Sequence, residues 1–332
     1  MGLRYGVVGT GWIADAFIEG AREMELYAVC SRTRERGEAF AQRHGAAKVY
    51  TDPAQMAQDA ELDAVYIASP NALHAEQSRL FLAHGKHVLC EKPLAARPEE
   101  IEALQALAGE RGLVYMEAIM LLHMPQLAVL RQAVARLGQI SVAHFDFCQY
   151  SSKYPAFLRG ETPNIFNPAM ETGALLDLGI YCVYPAVLLF GVPESLAASA
   201  TFLSTGADGA GSAIFRYPDK QAVLTWSKTG QGTAPSQIVG DKGCLTIGSI
   251  SKLEDMVLTE NGKEPQRLWG AEDKPVLMGH EAARFARAIA QPAACAPWLE
   301  EEAQLALEVH RCMREIRRLA GIAFPRDIHR PD

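Results

Sequence analysis

The sequence predicts a two-domain protein: a doubly wound parallel α/β domain at the N-terminus, followed by an α+β domain with a largely antiparallel sheet. Three observations carry this. Up to residue 120, short apolar runs alternate with amphipathic helical patterns, which is how parallel strands joined by helical crossovers read. Beyond it, turn residues bracket alternating segments, the mark of hairpins. Finally, 332 residues at 49% hydrophobic and 21% charged are enough for two buried cores. The expected division is 1–120 and 121–332.

In the first domain, strands are expected over 3–8, 26–30, 64–68, 87–90 and 114–116, with helices over 34–44, 72–84 and 98–111. Crossovers between such strands are almost always right-handed. The second domain opens with a helix over 125–137 and a strand over 140–150. That strand sets Ile140, Val142 and His144 on one face and Ala143, Phe145 and Phe147 on the other. A helix over 172–190 follows, then strands over 197–204, 212–217, 221–226, 236–239, 256–259 and 265–268. Turns fall at 218–220, 240–243 and 261–262. Two helices, 279–291 and 299–319, close the chain; the second carries Leu305, Val309, Cys312, Met313, Ile316 and Leu319 on one stripe.

Composition excludes several functions. Thirty-two Lys and Arg stand against 39 Asp and Glu, a net charge of −7 with no basic stripe, which argues against a nucleic-acid partner. The seven cysteines are scattered and contain no Cys-x-x-Cys pair, so neither a metal site nor a disulfide framework is expected, and a reducing cytoplasm fits. The N-terminus runs straight into a strand without a secretory signal, and no apolar run approaches the roughly 18 residues of a membrane span. No membrane partner is expected.

Gly9-Thr10-Gly11-Trp12-Ile13-Ala14 fits G-x-G-x-x-A between a strand and a helix. The first glycine makes the tight turn, the second admits a pyrophosphate, and the small third residue lets helix and strand pack closely. This is the fingerprint of a Rossmann dinucleotide-binding domain. About twenty residues on, where a carboxylate would hold the ribose 2′-hydroxyl of NAD, the chain has Ser31-Arg32-Thr33, with Arg36 beyond. Hydroxyls and guanidiniums suit a 2′-phosphate, so NADP is the expected cofactor with NAD as the alternative; otherwise these arginines solvate a helix start.

Ser69-Pro70-Asn71, with His74, follows the third predicted strand. Either Pro70 stops the strand and Asn71 caps the next helix, or the segment meets the nicotinamide ribose. Glu91-Lys92-Pro93 follows the fourth, at the edge where such a sheet presents its ligands. Lys92 there can donate to a substrate oxygen or lower a neighbour's pKa, or be a solvated charge. Asp177 and Tyr181 are spaced i, i+4 on one helix face, as a substrate-holding pair or as a capping carboxylate and a core tyrosine.

In order, and over nearly the whole chain, these motifs resemble the glucose-fructose oxidoreductase, inositol dehydrogenase and MocA-type (Gfo/Idh/MocA) family. The segments that carry the resemblance are the opening glycine motif, Pro70-Asn71 with His74, Glu91-Lys92-Pro93, Glu117-Ala118, residues 173–179 and residues 238–243. It implies a Rossmann domain that binds NAD(P), with Glu91, Lys92 and Ala118 on the cofactor side. A C-terminal α+β domain would carry a large, mostly antiparallel open sheet that commonly makes homodimers or homotetramers. By the same resemblance Lys92 is the catalytic lysine, Asp177 orients substrate and Tyr181 is the acid/base. Tyrosine's ordinary pKa of about 10 would need a cation such as Lys92 to lower it.

Many relatives carry histidine at the position of Tyr181; tyrosine is similar to the glucose-fructose oxidoreductase and dimeric dihydrodiol dehydrogenase branches. Glu171-Thr172-Gly173 replaces the usual glycine run. The implied activity is hydride transfer to or from a sugar, cyclitol or vicinal diol. The alternative is a sensor that binds the nucleotide without turnover.

Overall fold

A computed structural model describes residues 2–328. The chain forms two compact units. The first begins β1 (Arg4–Val8), α1 (Trp12–Gly20), β2 (Glu25–Cys30), α2 (Arg34–His44), β3 (Lys48–Tyr50), α3 (Pro53–Ala57), β4 (Ala64–Ile67), α4 (His74–Ala83), β5 (His87–Glu91), α5 (Pro98–Arg111) and β6 (Tyr115–Ala118). All six strands are parallel, in the order β3-β2-β1-β4-β5-β6. The order reverses between β1 and β4, so the strands' carboxyl ends open a ligand crevice there. Near-continuous burial of β1, β4 and β5 explains their unbroken apolar runs. Phe17 of α1 stacks on Tyr66 of β4 at 3.8 Å between ring centroids, fixing that helix to the sheet.

The second unit holds α6 (Gln126–Arg136), β7 (Ile140–Cys148), α7 (Tyr154–Leu158), α8 (Ile180–Phe190), β8 (Ser195–Phe202), β9 (Asp208–Arg216), β10 (Gln221–Ser227), β11 (Ser236–Gly240), β12 (Gly243–Ile247), β13 (Met256–Glu260) and β14 (Gln266–Trp269). Its eight-stranded sheet runs β14-β13-β12-β11-β7-β10-β9-β8, antiparallel except for the β7–β10 pair. One face is core: Ala143, Phe145, Ala213, Phe215, Leu224, Trp226, Ile238 and Leu245 are buried. α9 (Lys274–Ala290), α10 (Pro292–Ala320) and α11 (Pro325–Ile328) end the chain.

Four features differ from the sequence expectation. Residues Asp273–Leu307 cluster with the first unit, because α9 packs on α1 where Gly20 and Gly279 let the backbones meet. β3 and β12 lie outside the expected strands: β3 has only three residues, and β12 starts at Gly243, the last residue of the expected 240–243 turn. The helix expected over 172–190 instead has a π-helical turn at Leu175–Gly179 before α8. The helical stretch Pro168–Phe190 is also long and apolar enough to cross a membrane, contrary to expectation, but 78% of its apolar window is buried inside the protein, which makes it a core helix.

Candidate active site

Gly9 sits at φ +108°, and a Cβ there would come within 2.5 Å of the Ala68 carbonyl oxygen, so only glycine closes this turn. A Cβ on Gly11 would meet nothing within 4 Å, and Gly11 begins α1 without a side-chain cap. The first turn of a helix leaves its N–H groups, here those of Trp12 and Ile13 among others, without helical partners, and the open space at Gly11 leaves room beside them for a pyrophosphate. Ala14 is fully buried against the sheet. The turn is shaped for a dinucleotide.

After β2, Ser31 is buried and its N–H donates to the Tyr50 carbonyl at 3.0 Å. Thr33 caps α2, its hydroxyl oxygen accepting the Arg36 N–H at 3.4 Å. Arg32, Thr33 and Arg36 are exposed, and among the described residues neither arginine forms an ion pair. No carboxylate intervenes before Glu35.

After β4, the Ser69 hydroxyl donates to Gln77 at 2.7 Å. Asn71 opens a 3₁₀ turn ahead of α4, whose N-cap position is Leu73. His74 is buried, its Nδ1 2.8 Å from the Pro93 carbonyl oxygen and its Nε2 2.8 Å from that of Ser69. The ring thus ties the loop after β4 to the loop after β5. Burial lowers its pKa, against the pull of both carbonyls.

The β5 edge gathers charge. Glu91 is buried and accepts the Tyr66 hydroxyl; burial raises its pKa while Lys92 opposes the rise. Lys92 is half-buried and joined to Pro93 by a cis peptide. Ala118 pairs in register with Glu91, and the Glu117 carboxylate accepts the Leu94 N–H at 3.2 Å. From α9 comes Glu281, fully buried, with neither carboxylate oxygen hydrogen-bonded among the described residues. Burial raises its pKa well above the ordinary range; Glu91 adds to this and Lys274 opposes it.

Asp177 and Tyr181 lie in the second unit. Gly173 allows the Asp208 carboxylate against the backbone, since a Cβ there would fall 1.9 Å from its Oδ1. Asp208 accepts the Leu175 N–H at 2.7 Å and so anchors the π-helical turn that carries Asp177. Burial pushes Asp208 up to about 6, with that N–H opposing. Asp177 forms an ion pair with Lys228, just beyond β10 and almost wholly buried. Tyr181 is buried, its ring edge-on to Phe147 at 5.7 Å. Glu171 adopts a left-handed conformation at φ 51° just ahead of this segment. The i, i+4 spacing presumes a regular helix, whereas Asp177 lies in the π-helical turn and Tyr181 in α8; Lys228 and Asp208 carry no local signal, because their link to this segment depends on strand pairing.

A family model for oxidoreductases with an NAD-binding Rossmann fold matches residues 3–119, and the model for the GFO/IDH/MocA C-terminal domain matches 128–246. The NADP(+)-dependent scyllo-inositol 2-dehydrogenase IolU of Bacillus subtilis is 39% identical, over 98% of this chain and 99% of its own. Mouse trans-1,2-dihydrobenzene-1,2-diol dehydrogenase is 29% identical, over 98% and 99%. Among solved structures, the 3-ketoreductase KijD10 from Actinomadura kijaniata, in complex with NADP and TDP-benzene, superposes with a TM-score of 0.84 at 25% identity, covering 96% of this chain and 98% of that one. A Rossmann domain with an intact dinucleotide turn, followed by the matching C-terminal domain and shared end to end with a dehydrogenase, places the chain in the Gfo/Idh/MocA family of oxidoreductases.

Proposed function

We propose that this protein moves hydride between NADP(H) and a carbon bearing a hydroxyl or carbonyl on a sugar, cyclitol or vicinal diol. The observation that carries the cofactor choice is the edge of the six-stranded sheet. The glycine turn follows β1, exposed Arg32 and Arg36 follow β2 with no carboxylate before Glu35, and Lys92 follows β5. Likeness to an NADP(+)-dependent cyclitol dehydrogenase and a diol dehydrogenase supports the substrate class.

In this proposal the N–H groups around Gly9, Thr10, Gly11, Trp12 and Ile13 hold the pyrophosphate, and Arg32, Thr33 and Arg36 hold the 2′-phosphate. Ser69, Pro70, Asn71, Glu91 and Ala118 border the nicotinamide ribose, and His74 positions that border. When bound, the nicotinamide supplies the hydride chemistry. Lys92 donates to the substrate oxygen, and Tyr181 exchanges the hydroxyl proton with it. Asp177, steadied by Lys228, accepts a hydrogen bond from a second substrate hydroxyl. The cytoplasm is the proposed compartment.

Titration of the protein with NADP(H) and NAD(H) tests the cofactor assignment. Charge-assisted bonds to the 2′-phosphate contribute roughly 1.5–3 kcal/mol each, so NADP(H) should bind at least about tenfold more tightly. Arg32→Ala should erode the difference chiefly by weakening NADP(H). Equal affinities, or tighter NAD(H), would assign these arginines to solvating the start of α2.

A further inference from the structure

We infer that Lys274, the first residue of α9, is a further cofactor-binding residue that closes over the pyrophosphate of the bound dinucleotide. The inference rests on the dinucleotide assignment above and adds to it a residue from far along the chain. Lys274 Nζ lies 4.5 Å above the Trp12 ring centroid. Trp12 is the first residue of α1, directly after Gly11, and is 67% exposed. The ammonium is therefore held beside the start of α1, next to the glycine turn.

Its position is built in rather than accidental. α9 packs along α1 within the same compact unit, and a Cβ on Gly20 would lie 2.2 Å from the Pro275 carbonyl oxygen. No larger residue than glycine fits there, so the backbone next to Lys274 is fixed against α1. The same ammonium favours the charged forms of Glu91 and Glu281, which places it toward the β5 edge. Lys274 thus lies against the first residue of α1 and close enough to Glu91, at the end of β5, to act on its charge.

A phosphate offers the ammonium a stronger contact than the ring does. A cation over an exposed ring gains less than a charge-assisted hydrogen bond to a phosphate oxygen. A lysine side chain has enough rotatable bonds to leave the ring for a phosphate at the adjacent helix start. Trp12, with the ammonium against its ring, then serves as an optical reporter of the transfer.

The test compares wild type with Lys274→Met, Lys274→Gln and Lys274→Arg by titration with NADP(H) and NAD(H), followed by binding heat and by Trp fluorescence. Each variant is first checked for an unchanged melting temperature. Because the pyrophosphate is common to both cofactors, the neutral variants should lose about tenfold or more in affinity for each, leaving the NADP(H)-to-NAD(H) ratio unchanged. Arginine should restore most of the loss. The Gln variant, which keeps a polar head at this exposed helix start, carries the comparison if the Met variant is unstable. Unchanged affinities in a folded neutral variant, or a loss confined to NADP(H), would overturn the inference. A wild-type protein that bound neither dinucleotide would instead overturn the cofactor assignment beneath it.

Discussion

Lys92 is set in place by its neighbours: Glu91 on one side is fixed by Tyr66, and Pro93 on the other is fixed by His74. A side chain held this way can present its ammonium reproducibly, which is what proton donation needs. Lys92→Met should lower kcat by about 10²- to 10⁴-fold with dinucleotide affinity nearly intact. Tyr181→Phe keeps the ring against Phe147 but removes the proton, so it should lower kcat and flatten the limb of the pH–rate profile that reports the phenol. Steady-state kinetics across pH checks both; a kcat within a few-fold of wild type in either variant removes that residue from the chemistry. Lys92, Asp177 and Tyr181 are proposed from local signals in the sequence, a strand end and an i, i+4 spacing. Lys228, Asp208, Glu281 and Lys274 carry none, because each is defined by its partners across the fold rather than by adjacent sequence.

Among the elements, α2 and α5 appear where their patterns place them, Arg34–His44 and Pro98–Arg111. A β-strand end precedes each, and glycine in the left-handed region closes each C-terminus, at Gly45 and Gly112. The π-helical turn at Leu175–Gly179 could not be read this way. It depends on Asp208 reaching the Leu175 N–H from 33 positions away and on Gly179 admitting the Trp226 ring, whose Cδ2 would lie 3.1 Å from an added Cβ. α9 likewise begins at Lys274 rather than 279, since Pro275 in its first turn is a favourable helix start that a search for apolar periodicity passes over. Its membership of the first unit comes from backbone contact with α1, which chain order conceals.

For the whole molecule, the eight-stranded sheet leaves one face without helices' apolar stripe to match its buried side. Across that open face the register aligns Ala197, Ile214, Val223, His144, Gln237, Thr246 and Val257 in one row. Val142 and Val239 pair in the next. A broad surface mixing β-branched apolar and polar side chains, with Arg216 and Asp146 on the same face, is suited to a second copy. Sedimentation at micromolar concentration should show a homodimer or homotetramer, and Val223→Lys should shift it toward monomer; a single 36.2 kDa species for wild type would contradict this.

Turnover here is hydride exchange with NADP on a polyhydroxylated substrate, and absorbance of the reduced nicotinamide reads it directly. The purified protein with NADP+ and a panel of inositols, aldoses and vicinal diols should reduce the cofactor with at least one member, and Lys92→Met should abolish that signal while still binding NADP+. Tight NADP+ binding with no reduction across the panel, and no oxidation of NADPH by the corresponding ketones, would contradict the account and identify a nucleotide sensor on this fold.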